Sequence, residues 1–524
     1  MASAMSLLLE AMVKMLVLIL LSVIVTAHQI PLQQVAPRKV AVVGAGAGGA
    51  STAYYLRQFA QSSGISVDIS VFERESYIGG RSTTVNVFDD PAHPIELGAA
   101  IFVEMNYILM NTSKELGLNM SSMIRSWPTD SENLLGVWNG EEFVFLQGHS
   151  FGWWDRLKLL WRYGLAPIRT KQLVDRTAAK FSMLYEPPLF PFSSLTSAVG
   201  KLGLHEPAAL PGDKFLAAHG IHGRFPWEVI QASTRVNYGQ NLELIHGLET
   251  LVCMATEGAV AIADGNWRIF DGMLKAAGAQ INLNTTVTAI DKGRTRQWAV
   301  SYKSSDGTAS KAEFDEVVIA APFQSTGISI SPAPDHVPEK VHYVTLHVTL
   351  FASPHRISPQ RFNLSRHQEV PVMLLTTLPE GKDFSSRPED VGPAGFWSIS
   401  LLDTIQSPAD PSQTHYVYKV FSPERLTASF IASILGVDMP QGPNNLTIND
   451  LPRKDVSWFY EKVWQPYPYE YPRQTFEPAK LAPNLWYTSG IESLISTMET
   501  SSLMGKDIAA LMVNEWEAES INWS

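Results

Sequence analysis

Hydrophobic residues at two different spacings mark the first elements of the chain. Residues 40–43 form a continuous apolar, mostly β-branched run, which predicts a buried parallel strand. Residues 50–55 carry apolar side chains at helical spacing, and residues 67–72 again favour a strand. The pattern therefore predicts a strand, a turn, a helix and a second strand, in that order.

Glycines occupy the turn between the first strand and the helix. Gly44, Gly46 and Gly49 have the spacing Gly-x-Gly-x-x-Gly. The first permits a tight turn, the second lets the backbone approach a pyrophosphate, and the third lets helix and strand pack closely. Glu73 follows the second strand, where a carboxylate can accept hydrogen bonds from ribose hydroxyls. Together these features predict a dinucleotide site; the alternative is a glycine turn used for packing alone.

The rest of the chain alternates between helical and strand patterns, with no internal repeat. Helices are predicted at residues 106–118, 170–185, 213–219, 266–277 and 498–513. Strands are predicted at 280–284, 286–290, 314–322 and 341–351, and a last strand with a glycine turn at 484–492.

Residues 151–163 predict an amphipathic helix. Trp153, Leu157, Leu160 and Trp161 share one face, and charged residues are scattered over the rest. Such a helix can lie at a membrane surface or line the entrance for an apolar substrate. The alternative, a helix whose apolar face packs against the core, is the commoner case for this pattern.

A further glycine-rich stretch follows the second strand. Residues 75–81 end in Gly-Gly-Arg, and residues 95–99 read Ile-Glu-Leu-Gly-Ala. These segments resemble the Gly-Gly-Arg element of two-dinucleotide-binding FAD flavoproteins, in which small residues and a basic side chain lie along the pyrophosphate and flavin. The resemblance implies that the cofactor is FAD and that Gly80 and Arg81 contact it.

The same resemblance implies an α/β fold, in which a Rossmann-like FAD-binding domain is joined to a mixed α+β substrate domain. Val287 would present its backbone to adenine, and the turn at Gly490 would contact the flavin ring and ribityl chain. The predicted boundaries are 38–110, 242–325 and 480–515 for a discontinuous FAD-binding domain, and 111–241 and 326–479 for the substrate domain.

Composition excludes several classes of function. The 524-residue chain is 45% hydrophobic and 17% charged, which fits two or three folded domains. Its formal net charge is −11, and no lysine- or arginine-rich cluster of the kind that neutralises a phosphate backbone stands out, so nucleic acid is not an expected partner. Cys253 is the only cysteine, which excludes an intrachain disulfide and a cysteine-rich zinc site. We predict no metal site.

The N-terminus predicts a secretory signal peptide. Lys14 precedes an apolar run, and small residues before position 28 fit cleavage that removes residues 1–27; a retained signal anchor is the alternative. We expect passage through the secretory pathway to the lumen of a lysosome or vacuole. N-glycans are expected at six Asn-x-Ser/Thr sequons, which begin at Asn111, Asn119, Asn284, Asn363, Asn445 and Asn522.

Several segments beyond the FAD elements are specific enough to point to one family. They are 235–240 (Arg-Val-Asn-Tyr-Gly-Gln), 419–422 (Lys-Val-Phe-Ser), 464–469 (Trp-Gln-Pro-Tyr-Pro-Tyr) and 490–492 (Gly-Ile-Glu). With residues 40–81, these segments resemble the prenylcysteine oxidases, also called farnesylcysteine lyases. The resemblance spans most of the chain after the predicted signal peptide.

This resemblance implies an oxidoreductase that acts on a sulfur group with oxygen as acceptor, in the degradation of prenylated proteins. The substrate would be S-farnesyl- or S-geranylgeranyl-cysteine, and O2 and water would convert it into cysteine, a prenyl aldehyde and H2O2. Because the cofactor takes the hydride, the protein supplies orientation and a dry pocket. Arg235, Asn237 and Tyr238 are the candidates for placing the cysteine end or the flavin, unless they structure an interdomain turn.

Two other functions fit parts of the pattern. An FAD-dependent amine or polyamine oxidase of the same fold is the alternative enzyme, although residues 490–492 carry an extra residue where many amine oxidases have Gly-Glu directly. No acidic diamine-binding set is evident either. The alternative outside catalysis is a lumenal FAD-fold protein that carries lipid without turnover, and the intact nucleotide motif argues against it.

Overall fold

The computed structural model describes residues 12, 14–15, 36–122, 133–148, 153–293, 296–380, 390–439, 441–443 and 445–523. The strands in these ranges are β1 (Arg38–Val43), β2 (Val67–Phe72), β3 (Thr84–Asn86), β4 (Pro94–Glu96), β5 (Met120–Ser122), β6 (Asn133–Trp138), β7 (Phe143–Gly148), β8 (Val260–Ile262), β9 (Gln280–Asn282), β10 (Thr285–Lys292), β11 (Trp298–Ser304), β12 (Ala309–Phe314), β13 (Glu316–Ile319), β14 (Ser329–Ser331), β15 (Leu346–Ser353), β16 (Met373–Thr376), β17 (Ser398–Gln406), β18 (Thr414–Ser422), β19 (Trp458–Trp464), β20 (Lys480–Ala482) and β21 (Leu485–Tyr487).

Helices connect these strands. The α-helices are α1 (Ala47–Ser62), α2 (Tyr107–Glu115), α3 (Trp153–Tyr163), α4 (Ala166–Ser182), α5 (Leu195–Lys201), α6 (His205–Ala209), α7 (Gly212–Ala218), α8 (Gln231–Tyr238), α9 (Gly247–Met254), α10 (Trp267–Ala276), α11 (Phe323–Thr326), α12 (Ala428–Leu435) and α13 (Met498–Trp523). A 3₁₀ turn, Ser489–Ser493, precedes α13.

A six-stranded sheet in the order β20-β21-β13-β1-β2-β9 contains the predicted nucleotide unit. β1 lies between β13 and β2, parallel to both, and its residues 40–42 are fully buried. Because both faces of β1 are buried, its residues are continuously hydrophobic instead of alternating between hydrophobic and polar. The six strands come from all three segments predicted for the FAD-binding domain, whose exact boundaries stay a prediction.

The first and last helices pack closely on this sheet. Ser51 Oγ on α1 donates a hydrogen bond to the carbonyl oxygen of Ser502 on α13 at 2.6 Å. A Cβ added at Gly505 would lie 2.4 Å from the carbonyl oxygen of Gly48, so the two backbones touch where both residues are glycine. The closing helix is longer than the predicted 498–513 and continues to Trp523.

The buried strand predicted at 314–322 is present as β13, but it begins later than predicted, because the chain changes sheet at Asp315. β12 ends at Phe314 in a four-stranded sheet, β12-β11-β10-β14, and β13 begins at Glu316 in the six-stranded sheet. Asp315 lies between them, and its carboxylate accepts a hydrogen bond from the amide of Lys39 at 2.8 Å. The junction reads Phe314-Asp315-Glu316, and Glu316 is buried inside β13, so the polar residues there do not by themselves signal the change of sheet.

A seven-stranded sheet, in the order β19-β15-β18-β17-β16-β6-β7, is built from the two segments predicted for the substrate domain. β15 begins at Leu346, later than the predicted start at residue 341. The preceding residues are extended but join the neighbouring chain at isolated points, such as the amide of Val344, which donates to the carbonyl oxygen of Tyr467 at 3.0 Å.

The amphipathic helix forms as α3, but the prediction that its apolar face packs on the core is wrong for the residues that can be described. Leu157 and Leu160 are exposed, and Trp161 is 92% exposed. The exposed apolar side chains continue past α3 at Leu165 and Ile168. None of the described helices is both long and apolar enough to cross a membrane. The predicted signal peptide lies outside the described residues, apart from residues 12, 14 and 15.

Candidate active site

A cavity of 1230 Å³ lies between the six-stranded and the seven-stranded sheet. One wall is formed where β1 and β13 end, which is the edge at which parallel α/β sheets bind ligands. The opposite wall is one face of the seven-stranded sheet, and helices α4, α8 and α9 line part of the remainder. Pockets for a single ligand hold roughly 300–1000 Å³. The cavity therefore has room for a cofactor and a second molecule.

The three motif glycines have different surroundings. Gly44 has φ of +114°, and a Cβ there would lie 2.5 Å from the carbonyl oxygen of Ala320, so only glycine fits the turn. A Cβ at Gly49 would lie 2.0 Å from the carbonyl oxygen of Gly44, as expected for close helix-strand packing. A Cβ at Gly46 meets Gly79 only at 3.7 Å. Gly46 is therefore free of packing constraint and lines the cavity.

Glu73 is held in place by backbone amides. One carboxylate oxygen accepts from the amide of Ala45 at 2.9 Å, and the other accepts from the amide of Glu75 at 2.9 Å. Each oxygen keeps a second lone pair, so the oriented carboxylate can still accept hydrogen bonds from ribose hydroxyls. Together with the N-terminus of α1 at Gly46, this arrangement fits a dinucleotide.

Arg81 is paired with an acid that the sequence did not associate with it. Its two terminal nitrogens each donate to Glu492 at 2.7 Å, and one also donates to the carbonyl oxygen of Pro466 at 2.8 Å. Tyr343 donates its hydroxyl to the same carboxylate at 3.0 Å. Burial alone would lower the pKa of Arg81, but the charge of Glu492 and the hydrogen bonds to it outweigh burial and raise that pKa.

Most of the predicted cofactor residues line the cavity: Gly44, Gly46, Glu73, Gly80, Arg81 and Val287. Gly49 and Gly490 lie off its wall. Gly490 is buried, and a Cβ there would lie 2.9 Å from Glu477. Close packing against Glu477, and not contact with the cavity, therefore favours glycine at this position. Its neighbours Ser489 and Glu492 do line the cavity. Direct contact of each residue with the cofactor stays a prediction.

Arg235 was proposed to place the substrate or flavin, but it lies away from the cavity wall. Its guanidinium is fully buried and donates to Asn241 at 2.7 Å, to Thr376 at 3.0 Å and to the carbonyl oxygen of Val391 at 2.7 Å. It also stacks over the Trp397 ring at 4.7 Å. These contacts join α8 to β16, so the structural interpretation of Arg235 is the one that its position favours.

The other two candidates face the cavity. Asn237 is exposed to it and donates its side-chain amide to the carbonyl oxygen of Ser233 at 2.9 Å. Tyr238 donates its hydroxyl to the carbonyl oxygen of Ser496 at 3.1 Å, and its ring meets Tyr467 edge-on at 5.2 Å. Both residues lie in the last turn of α8, and this end of the helix borders the cavity.

A group of buried titratable side chains lies behind Tyr238. Burial raises the pKa of Glu249 to about 8, and it raises the pKa of Glu470 well above its ordinary value. Burial also lowers the pKa of His246 to about 3, so this imidazole is neutral. Neutral forms avoid the cost of burying unpaired charge.

Lys419 is the cavity residue whose chemistry the sequence analysis missed. It lies in the middle of β18, its side chain reaches the cavity, and burial lowers its pKa to about 8, although Glu96 acts in the opposite direction. The available signal was a lysine inside an otherwise apolar strand pattern.

Comparison with known proteins places the chain in a family. The model of the prenylcysteine lyase family matches residues 146–522, and that of the NAD(P)-binding Rossmann-like domain matches residues 42–113. Prenylcysteine oxidase 1 of Homo sapiens is 27% identical over 511 residues, covering 92% of this chain and 90% of that protein. Farnesylcysteine lyase of Arabidopsis thaliana is 26% identical over 498 residues, covering 92% of this chain and 89% of that protein.

Solved structures share the architecture at lower identity. Cyclohexylamine oxidase from Brevibacterium oxydans has a TM-score of 0.55 at 17% identity, over 92% of this chain and all of that one. Putrescine oxidase bound to putrescine has a TM-score of 0.52 at 13% identity, over 91% of this chain and 99% of that one. These likenesses establish the α/β oxidase fold. Because the family model covers well over half of its length, the chain belongs to the prenylcysteine lyase family.

Proposed function

We propose that this protein is an FAD-dependent prenylcysteine oxidase, which cleaves S-farnesyl- or S-geranylgeranyl-cysteine with O2 and water into cysteine, a prenyl aldehyde and H2O2. One observation carries the proposal: a single cavity of 1230 Å³ joins a dinucleotide cradle to a long, mainly apolar sheet face. Family membership and the names of the relatives support the same substrate class.

The residues present suit the cofactor and the reaction. FAD, when bound, accepts the hydride and passes its electrons to O2. Gly46 and the N-terminus of α1 would hold the pyrophosphate, and Glu73 would hold the ribose. Arg81 and Glu492 fix the two turns that border the flavin end. The apolar sheet face orients the prenyl chain and keeps bulk water away from it.

An amine oxidase activity has less support. The acidic residues that line the cavity are Glu73, Glu75, Glu492 and Glu499. The first two lie at the nucleotide end, and Glu492 is paired with Arg81. Glu499 accepts hydrogen bonds from the amides at the start of α2, at 2.9 and 3.0 Å. No described acid is thus left for a substrate diamine.

The proposed reaction is tested by anaerobic flavin reduction. Purified, FAD-loaded protein is mixed with S-farnesyl-cysteine, S-geranylgeranyl-cysteine or spermine. We expect the prenylcysteines to bleach the flavin and, once oxygen is admitted, to give aldehyde and H2O2 in equal amounts. Bleaching by spermine alone, or a protein that takes up no FAD, would overturn the proposal.

The proposal includes contact with an anionic membrane through α3 and α4. Leu157, Leu160, Trp161, Leu165 and Ile168 give these helices an exposed apolar surface. Between residues 157 and 182 the sequence has a single acidic residue, although the whole chain has net charge −11. The basic residues there are Lys158, Arg162, Arg169, Lys171, Arg176 and Lys180. Exposed apolar side chains with basic neighbours are typical of helices that lie in an anionic lipid interface.

The same helices provide a route for a lipid-like substrate. Val174, Ala178 and Phe181 on α4 line the cavity, whereas Ile168 on that helix is exposed. One helix therefore borders both the cavity and the proposed membrane surface. A prenylcysteine could pass from the bilayer into the cavity without crossing water.

Vesicle flotation tests this surface. The double variant Leu160→Ser, Trp161→Ser should lose binding to vesicles that contain an anionic lipid, while keeping its flavin absorbance. Val337→Ser, which changes another exposed aliphatic residue, is the control. Equal flotation of the wild type, the double variant and the control would contradict the proposed surface. So would wild-type binding to purely zwitterionic vesicles that equals its binding to anionic ones.

Secretion, N-glycosylation and a lysosomal or vacuolar destination are the last parts of the proposal. Asn111, Asn119, Asn284, Asn363 and Asn445 are exposed, which supports glycosylation of these sequons. The N-terminus and the mass of the expressed protein test this part. We expect a mature chain that begins near His28 and that loses mass when it is treated with a glycosidase. A chain that keeps Met1 and shows no mass change would contradict this part.

A further inference from the structure

The face of the seven-stranded sheet that lines the cavity changes polarity from one strand to the next. Two cross-strand rows can be followed through the strand register. The first row is Gln147, Leu135, Met373, Ser400 and Lys419, and the second is Phe145, Val137, Leu375, Ser398 and Phe421. Every one of these side chains lines the cavity.

Apart from Phe421 on β18 and Gln147 on β7, the apolar and polar positions are separated along these rows. The positions on β6 and β16 are all aliphatic or Met, whereas β17 contributes two serines and β18 contributes Lys419. Strands lie about 4.8 Å apart, so the rows from β18 to β7 span about 19 Å. The wall is thus polar at one end and mainly apolar over the rest of its length, as an amphipathic ligand with one charged end requires.

Lys419 is a buried cation that interacts electrostatically with the carboxylate of Glu96 but is not close enough to it for an ion pair. Its residue is 8% exposed, and its ammonium group donates to the backbone carbonyl oxygen of Glu96 at 3.0 Å. Of the described carboxylates, none forms an ion pair with it. An ammonium group has three donors, so two are left for a ligand. Burial raises the pKa of Glu96 to about 7, so at neutral pH this acid compensates the ammonium charge only in part. Burying a charge without full compensation is costly, which favours a role in binding an anion.

The other basic residues of the cavity are engaged or peripheral. Arg81 is paired with Glu492. Arg74 donates to the carbonyl oxygen of Ser325 at the nucleotide end. Lys462 lies on the edge strand β19 over the Trp464 ring. Lys419 is therefore the interior cation best placed to receive an anionic group from the substrate.

We propose that Lys419, with the hydroxyl of Ser400 beside it, binds the α-carboxylate of the prenylcysteine. The prenyl chain then lies across β16 and β6 toward Phe145. Ser400 and Lys419 are direct cross-strand neighbours, so both can donate to one carboxylate. The inference rests on the proposed function for the identity of the ligand. It adds the residues that distinguish an amino-acid thioether from any other prenyl compound.

Binding of unreactive analogues tests this assignment without turnover. S-dodecyl-cysteine and S-dodecyl-cysteamine share the alkyl thioether and amine, but only the first has a carboxylate, and neither has an allylic carbon. In the FAD-loaded Lys419→Met variant we expect Kd for S-dodecyl-cysteine to rise about 30- to 100-fold, as for a lost charge-assisted hydrogen bond. Kd for S-dodecyl-cysteamine should change less than about threefold. Lys419→Arg keeps the positive charge, so it should retain most of the difference in Kd between the two analogues that the wild type shows.

Lys506→Met is the matched control, because Lys506 is a half-buried lysine that lies over the Tyr55 ring and off the cavity wall. It should bind both analogues as the wild type does. Equal loss of both analogues in Lys419→Met, or no loss of either, would overturn the carboxylate assignment. Failure of the proposed function would look different: prenylcysteines would leave the flavin oxidised, whatever the Kd ratio of the analogues.

Discussion

Arg81 and Glu492 form a two-pronged ion pair between residues that are 411 positions apart, with both N–O distances at 2.7 Å. The pair joins the Gly-Gly-Arg turn to the 3₁₀ turn before α13. Both turns border the cavity, so the geometry of the cavity depends on this contact.

Replacing Arg81 with Ala should lower stability and weaken FAD retention together. Glu492 is buried, and loss of its partner leaves its charge uncompensated, at a cost of about 3 kcal/mol. Thermal unfolding and the flavin content after gel filtration measure the two effects. Arg425→Ala breaks the more exposed pair with Glu461, and it should cost less than about 1 kcal/mol. Equal effects of the two substitutions would contradict the structural role of the Arg81 pair.

Gly46 and Gly49 should fail in different ways, although they belong to one motif. Gly46→Val should fold with nearly wild-type Tm but bind no FAD, because a Cβ there makes only ordinary contacts, the nearest at 3.7 Å, and the added side chain would occupy the cradle. Gly49→Ala should lower Tm, because its Cβ would lie 2.0 Å from the carbonyl oxygen of Gly44. Tm and flavin absorbance per protein, measured for both variants, check the contrast. An unfolded Gly46→Val protein would refute it.

Arg235→Ala should reduce stability without a selective effect on substrate. The change removes a buried hydrogen-bonded group that joins α8 to β16, and we expect a loss of about 3 kcal/mol. Asn237 lies two residues further along α8 and is exposed to the cavity, so Asn237→Ala should leave Tm unchanged. If Arg235→Ala instead raised KM at unchanged stability, the guanidinium would act on the substrate after all.

Glu249 should make stability fall as pH rises. Its pKa is about 8 in the folded protein against 4.5 for a free glutamate, so folding takes up a proton between these values. The stabilisation is fully present below about pH 4.5 and is lost as pH rises through 8. Glu249→Gln should flatten the decline of Tm between pH 5 and 8. Glu257→Gln, at a side chain that is 83% exposed, should follow the wild-type curve.

Residue spacing was sufficient to predict the strand, turn and helix of the nucleotide unit from the sequence. A tight turn, a close backbone approach and an acid after the second strand are local requirements, and Gly44, Gly46 and Glu73 meet them at fixed intervals. The family resemblance is likewise confirmed, as is the α/β fold class. These features depend on residues that are neighbours in sequence or on motifs of several consecutive positions.

The substrate side of the cavity was harder to predict, because its residues meet only through sheet pairing. Ser400 and Lys419 are cross-strand neighbours, and nothing local to either residue indicates this. The sequence left the role of Arg235 open for the converse reason, since a basic residue in a family motif can as well join two elements as contact a ligand. The exposed face of α3 follows from the lack of a packing partner among the described residues, which amphipathic spacing cannot reveal.

The contact between the two ends of the chain has a consequence for biosynthesis. Arg38 at the start of β1 pairs with Glu519 on α13, 481 positions later. Ribosomes add roughly 5 to 20 residues each second, so the two partners emerge roughly 25 to 100 s apart. For most of that interval the nascent nucleotide unit lacks β21, the turn that carries Glu492 and the helix that covers α1. We therefore expect cofactor capture to follow synthesis of the last tenth of the chain, and a chain terminated before that segment to be made without its flavin.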